Sequence, residues 1–323
     1  MKPQAILIGL VAGAAAALLF AGLILQSSTA LVLSLATPIP IFIASLGWGS
    51  VAGAIAAIAS GAAITALTGT SSSALILMTT MTLPAALIGH LAGLARPIEQ
   101  APRNVATSSA TPSTPSLDWY PLPRILLAIA AVATTACLFV GWLVSYDTAE
   151  IGASIGEALR TQLAANGADP VTQDEIQAIA LVMVKIVPFV QPALLTIILV
   201  ACLHLSGLVT RASGRLPRPR DDIPTAAGLP KVAVAVFGIG ILGTFLSGTV
   251  ATVAAVVCGT FGAAFTLVGL ASFHRRTRGR PARGLVLFAA YTAIVLLSFP
   301  LVAATILGLT ETMRRPVEPA ASA

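Results

Sequence analysis

Residues 5–25 read AILIGLVAGAAAALLFAGLIL, an unbroken apolar run without a single charge. At 1.5 Å of rise per residue, a helix of this length covers about 30 Å, the thickness of a bilayer's hydrocarbon core. Comparable runs recur near 29–46, 49–68, 74–95, 124–145, 176–209, 231–247, 249–273 and 284–309. They are continuous rather than alternating, so helices and not the strands of a barrel satisfy the backbone in lipid. The expectation is an all-α fold: a polytopic transmembrane helix bundle of about nine spans, within a range of roughly 8–10. The seventh and eighth runs are separated by little more than Gly248, so that boundary is soft.

Composition agrees. The 323 residues are 57% apolar and 9% charged, with a mean hydropathy of +0.94. Soluble domains carry roughly 25% charged residues. Lipid, the first partner the chain implies, must be the solvent for most of its length. The net charge of +6 lies in short segments flanking apolar runs. That is the footprint of membrane orientation, and it argues against a nucleic-acid partner. Cys137, Cys202 and Cys258 sit singly inside apolar runs and read as small buried hydrophobes. Ser28-Thr29-Ala30 loosely resembles a cleavage site, but the run before it exceeds a signal peptide's apolar core and reads as a retained first span.

Two hydrophilic stretches divide the chain. Residues 96–123 include TSSATPSTPS and read as a Pro/Ser/Thr-rich cytoplasmic linker. It separates a four-span half, 1–95, from a five-span half, 124–310, followed by a tail, 311–323. The second stretch, 146–175, is expected on the periplasmic side. There Ile151, Ile155, Leu159 and Leu163 make one apolar stripe, predicting an amphipathic helix from about 148 to 165 that packs on the protein's own spans. Asn166-Gly167 marks a stop and a hinge for a lid near Gln191, and Asp169-Pro170 a turn. Thr172 to Glu175 fits a capping box, so the sixth helix starts outside the bilayer at Gln173.

Charge sets the orientation. With the N-terminus in the cytoplasm, fourteen of the eighteen basic residues fall inside, notably Arg211, Arg215, Arg218, Arg220 and the cluster from Arg275 to Arg283. Nine spans then put the C-terminus in the periplasm of a bacterial inner (plasma) membrane. Arg314-Arg315 is the one pair that disagrees, and it would move inside if two spans merged into a re-entrant pair.

Motifs for catalysis fail on context. Gly152 to Gly156 matches G-x-S-x-G but lies on the amphipathic helix, not at a strand-to-helix turn. Gly238 to Gly243 matches G-x-G-x-x-G but sits inside an apolar run with no acid before Glu311. His90, His204 and His274 lack the close spacing of a metal set. No Asp or Glu lies within a spanning core, which argues against a carboxylate proton relay. The reading is of no enzyme, no cofactor and no metal.

Two patterns carry binding potential. Small residues form ridges: Gly9, Gly13 and Ala17 on the first span, Gly49, Gly53 and Gly61 on the third. Such ridges serve close helix packing, either internal or against a membrane-protein partner. Prolines break four spans: Pro38 and Pro40 after Thr37, Pro84 after Thr79, Thr80 and Thr82, Pro188 and Pro192 around Gln191, and Pro300. Each removes a helical hydrogen bond, and freed carbonyls in broken helices can meet a ligand. The candidate ligand-binding residues are therefore Thr37, Pro38, Pro40, Thr79, Thr80, Thr82 and Gln191, for an unknown small molecule.

The segments RLPRPRDDIPTAAGLPK (Arg215 to Lys231), FTLVGLASFHRRTRGRP (Phe265 to Pro281), Thr37-Pro38-Ile39-Pro40 and Gly47-Trp48-Gly49 together resemble the YybS-like proteins, bacterial multi-spanning membrane proteins of unassigned function. That family is similar in turn to the substrate-capturing S components of energy-coupling factor transporters. The resemblance implies an uptake-type helical fold and carries no individual binding residue. The chain also exceeds a six-span S component. The expected function is small-molecule capture or uptake in the membrane. The alternative is a non-transporting scaffold that binds partners through its small-residue ridges.

Overall fold

A computed structural model of the protein describes residues 3–24, 32–97, 117–146, 148–165 and 172–314. The linker sequence TSSATPSTPS, Ser28-Thr29-Ala30, Asn166-Gly167, Asp169-Pro170 and Arg315 lie outside the described residues. The helices are α1 (Pro3–Ile24), α2 (Pro38–Trp48), α3 (Ser50–Thr68), α4 (Ser71–Leu77), α5 (Leu83–Ala92), α6 (Leu122–Leu143), α7 (Thr148–Ala165), α8 (Gln173–Ala212), α9 (Ile223–Ala226), α10 (Val232–Gly243), α11 (Gly248–Arg276), α12 (Arg283–Leu297) and α13 (Pro300–Arg314). A π-turn, Met78–Thr82, joins α4 to α5. The sole pairing of strands among the described residues is β1 (Ala95–Pro97) with antiparallel β2 (Leu117–Trp119). It zips the two ends of the linker together, with Arg96 bonded to Asp118 at 2.9 Å.

The protein is a multi-pass helical membrane protein, and nine full-length spans are not confirmed. Among the described residues, six helical segments are long and apolar enough to cross by length and composition: Pro3–Gly22, Ser50–Thr68, Ser71–Ala92, Leu122–Leu143, Gln173–Ala212 and Gly248–Arg276. Three expected spans fall short for identifiable reasons. The second is the shorter apolar helical stretch Val32–Trp48, interrupted by a turn at residues 35–37, with Pro38 and Pro40 in the first turn of the 11-residue α2. The seventh keeps 12 in α10 and stops at a turn before Ser247. The ninth breaks at Ser298, whose φ of +55° no helix accommodates, and α12 and α13 diverge by 119° around Pro300. Counting that bent pair as one span raises the number to seven.

The chain divides into two compact units, residues 1–125 with 202–220, and residues 126–201 with 221–323. A division at the linker alone does not foresee that the first unit also takes the C-terminal part of α8.

In the first unit α1 packs along α3 in parallel. Gly9 faces Ala52 and Ile55, and Gly13 faces Ala56 and Ala59. Phe20, Ile64 and Leu77 close one end of this packing. Pro84 has no amide to serve the Thr80 carbonyl, and the π-turn directly before it absorbs the mismatch.

In the second unit, Ala130 of α6, Ala233 of α10 and Phe261, Ala264, Phe265 and Val268 of α11 form the core. The Thr134 and Thr260 hydroxyls bond at 2.7 Å. The capping box forms as expected: the Thr172 amide donates to the Glu175 carboxylate at 3.1 Å, and the Glu175 amide to the Thr172 hydroxyl at 3.4 Å. Helix α7 packs antiparallel on the start of α8. Buried Gly152 faces Leu181 and Val184, and Gly156 faces Ile176 and Ala180.

Helix α13 runs parallel to α11. Thr305 bonds Thr266 at 2.7 Å, and Glu311 bonds Arg275 at 2.6 Å. The end of α13 therefore returns to the end of the unit where α12 begins. Glu311, expected in a free tail, is held by both Arg275 and Arg276.

Candidate functional site

The proline-linked positions are satisfied by the chain itself. Pro38 cannot donate to the Ser34 carbonyl, and the buried Thr37 hydroxyl donates to it instead at 2.6 Å. The Leu35 carbonyl accepts from the Cys202 thiol at 3.4 Å, and the Ile39 carbonyl from Ser206 at 3.2 Å. Thr80 donates to Ile76 at 2.7 Å, and buried Thr82 accepts from Ser60 at 3.1 Å. Thr79 is half-buried in the same π-turn. Pro40 is half-buried and Pro38 fully so. Gln191 lies in the second unit, exposed on α8. Thr37, Thr80 and Thr82 are thus hydrogen-bonded within the first unit, whereas Gln191 belongs to the second.

The small-residue ridges are likewise occupied. Gly9, Gly13 and Ala17 are buried in the first unit, and a Cβ on Gly61 would collide with Met78. Gly53 makes room for Ser45. Gly49 has another role: with φ at +92° it turns the chain from α2 into α3.

A cavity of about 400 Å³ opens at one end of the first unit. Here the start of α1 (Gln4, Ala5), the end of α2 (Ser45 to Trp48), the start of α3 (Gly49, Ser50), the end of α5 (Gly89, Gly93), Trp119 of β2 and Arg215 to Pro217 come together. No acidic side chain is among these lining residues. The Arg215 guanidinium lies over the Trp48 ring, 4.6 Å from its centroid. His90 and Ser50 share a hydrogen bond of 2.5 Å at the rim. Behind Arg215, buried Arg218 donates to the carbonyls of Ala92 and Tyr120, at 3.2 and 3.0 Å. Arg211 donates to the carbonyls of Arg218 and Pro219. These bonds fix the 211–219 segment against the ends of α5 and β2.

Two hydroxyls in this region stand out. Ser45 is 3% exposed, lines the cavity and has no hydrogen-bond partner. It sits between Gly53 and Gly89: a Cβ on Gly89 would fall 2.7 Å from its oxygen. Thr210, 1% exposed, is also unpartnered and lies against Gly47. Unmet hydroxyls at such burial cost on the order of 1–3 kcal/mol each, so a protein retains them for a reason.

Among the described residues no three His, Cys, Asp or Glu side chains gather as a metal set. Ser154 of the G-x-S-x-G match is exposed on α7 and donates to the Ile151 carbonyl at 2.9 Å. The G-x-G-x-x-G match forms the helical end of α10.

This cavity is not foreseen by the sequence patterns described above. Its signals were Trp48 and Arg215, in segments that had been quoted only for their resemblance to a family. No protein-family model, no curated protein and no solved structure matches the chain.

Proposed function

We propose that this is a bacterial inner-membrane protein that captures a small molecule, in the manner of a transporter or its substrate-binding component, and that it is not an enzyme. The observation that carries this reading is the end cavity of the first unit. It has the size of a small-ligand site, a few placed polar groups, two tryptophans and an unmet hydroxyl. The scaffold alternative draws less support, because the ridges expected to bind partners are filled by the chain's own helices.

The proposed affiliation is with the YybS-like proteins. Gly47-Trp48-Gly49 and the Arg215 segment, two of the stretches that resemble that family, face each other across the cavity. The excess of basic residues near the cavity supports a cytoplasmic placement of this end. For the same reason the basic stretch from Arg275 to Arg283 is proposed to be cytoplasmic, and with it the end of α13.

The test is small-molecule mass spectrometry on the purified full chain and on Gly93→Phe. Gly93 lines the cavity and its φ of −88° accepts any side chain. The expected result is a compound that copurifies with the parent and with a Gly93→Ala control but is depleted from Gly93→Phe. Copurification that ignores the bulky residue would remove this cavity as the capture site.

A further inference from the structure

We infer that the end cavity is an oxyanion site: it takes a phosphate- or carboxylate-bearing group, held by Arg215, the first turn of α3 and the Ser45 hydroxyl. This deepens the capture reading and rests on it for the identity of the site, not for the class of ligand.

Three independent features converge. The first is charge. Arg215 lines the cavity, and no carboxylate among the lining residues competes for it. Arg211 and Arg218 lie in the same segment and donate to backbone carbonyls. In this surrounding an anion is favoured and a cation disfavoured.

The second feature is the start of α3. This 19-residue helix begins at Gly49 and Ser50, both on the cavity wall. Its N-cap is a glycine with no side-chain cap bond. Ser50, next in line, directs its hydroxyl to His90 instead. The Ala52 amide donates to the Gly49 carbonyl at 3.0 Å, so it is the Ser50 and Val51 amides, with the partial positive charge of the first turn, that face an outside acceptor. Gly49 also keeps a side chain from covering that turn: nothing lies within 4 Å of where its Cβ would be.

The third feature is Ser45. The residue is 3% exposed and lines the same cavity, and its hydroxyl lacks any partner. Gly53 and Gly89 flank it because larger residues would strike it. A hydroxyl held unbonded in this position donates its proton when an oxyanion enters. Arg215 is pre-positioned for the same event. Its stacking on Trp48 limits the rotamers it would otherwise lose on binding.

An oxyanion can come from a free solute or from a lipid headgroup, and the two are separable. The full chain is placed in nanodiscs of phosphatidylcholine and titrated calorimetrically with inorganic phosphate, glycerol 3-phosphate and benzoate. The titrations are repeated on Arg215→Gln and Ser45→Ala. Parallel discs containing phosphatidylglycerol are analysed by native mass spectrometry for retained lipid.

Saturable binding of at least one of these anions, weakened by roughly tenfold or more in Arg215→Gln, is the expected result for a solute. Ser45→Ala should bind more weakly while melting no lower than the parent without ligand, since it removes an unmet hydroxyl. Retention of phosphatidylglycerol that depends on Arg215, with no solute binding, assigns the oxyanion to a headgroup; the oxyanion class then stands and solute capture falls. A copurifying neutral or cationic compound that Arg215→Gln still holds has the opposite meaning: capture stands and the oxyanion class falls. Absence of any Arg215-dependent anion binding in both kinds of disc overturns the inference.

Discussion

Gly269 of α11 and Gly308 of α13 meet backbone to backbone. A Cβ on Gly269 would lie 3.1 Å from the Gly308 nitrogen, and one on Gly308 would lie 3.0 Å from the Gly269 nitrogen. Each would also strike the facing carbonyl, of Ala304 or Phe265. Without a hydrophobic force between helices in lipid, such close approach is a main source of association. Gly269→Ala and Gly308→Ala should therefore each destabilise the second unit by about 1–3 kcal/mol, and the pair by less than the sum, because they press on one contact. Gly207→Ala, at a position with open space around it, should be neutral or stabilising. Thermal unfolding in detergent reads all four. Unchanged melting of both α11 and α13 variants would refute the contact.

The loop before α9 is tied to the end of α11 by Asp222 and Arg278, bonded at 2.5 and 2.7 Å. Hydrogen bonds from the Arg278 guanidinium, then from Thr225, pull the Asp222 carboxyl down to about 2. The folded form thus prefers the ionised acid. Its contribution is fully present above the ordinary value of 3.8 and is lost as pH falls through about 2. The difference in melting temperature between the parent and Asp222→Asn should hold steady from about pH 7 to 5 and shrink below about 4. The pair is exposed, so added salt should shrink it too. A difference that grows on acidification would contradict the sign.

Much of this was legible in the sequence, and the failures have physical causes. Apolar length identified α1, α3, α6, α8 and α11, because a run near bilayer thickness has few soluble interpretations. The Thr172 to Glu175 box placed the start of α8 at the right residue. Length is less informative where apolar residues are regular helix for only part of their run: α2 after Pro38, α10 before Ser247, and the break at Ser298. Hydropathy does not distinguish a half-span packed in protein from a full span in lipid. The surroundings of the candidate site were hidden for a different reason. Proline-freed carbonyls looked open, yet Thr37, Cys202 and Ser206 fill them. One of these is a neighbour, and the other two are each 167 residues from the carbonyl they serve. The cavity depends on Trp48 meeting Arg215, 167 positions later, which no local pattern encodes.

The hydroxyls beside the prolines give a direct contrast with the cavity. Thr37 and Thr82 are fully buried and hydrogen-bonded within the first unit. Thr37→Val and Thr82→Val should each lower stability by about 1–2 kcal/mol, the cost of an unserved buried partner. Neither should change the amount of any copurifying small molecule per folded protein. Loss of that compound from Thr37→Val at unchanged stability would return the binding role to the broken helices.

The last prediction concerns the C-terminus. Counting nine spans sends it to the periplasm and strands Arg314 there, against the charge asymmetry of the rest of the chain. Within the second unit, however, α13 runs parallel to α11, and Glu311 is bonded to both Arg275 and Arg276. The bent pair α12–α13 leaves the basic end and returns to it. Arg314 then shares the side of Arg275 to Arg283, and the exception to the positive-inside pattern disappears. With Cys137, Cys202 and Cys258 replaced, single cysteines at Arg278, Met313 and Thr161 can be probed in intact cells with a membrane-impermeant maleimide. Positions 278 and 313 should be protected until the membrane is permeabilised, whereas 161, on α7, should react from outside. Reaction of 313 from outside with 278 protected would mean that α12 and α13 cross the bilayer after all. Reaction of 278 itself would invert the assigned orientation.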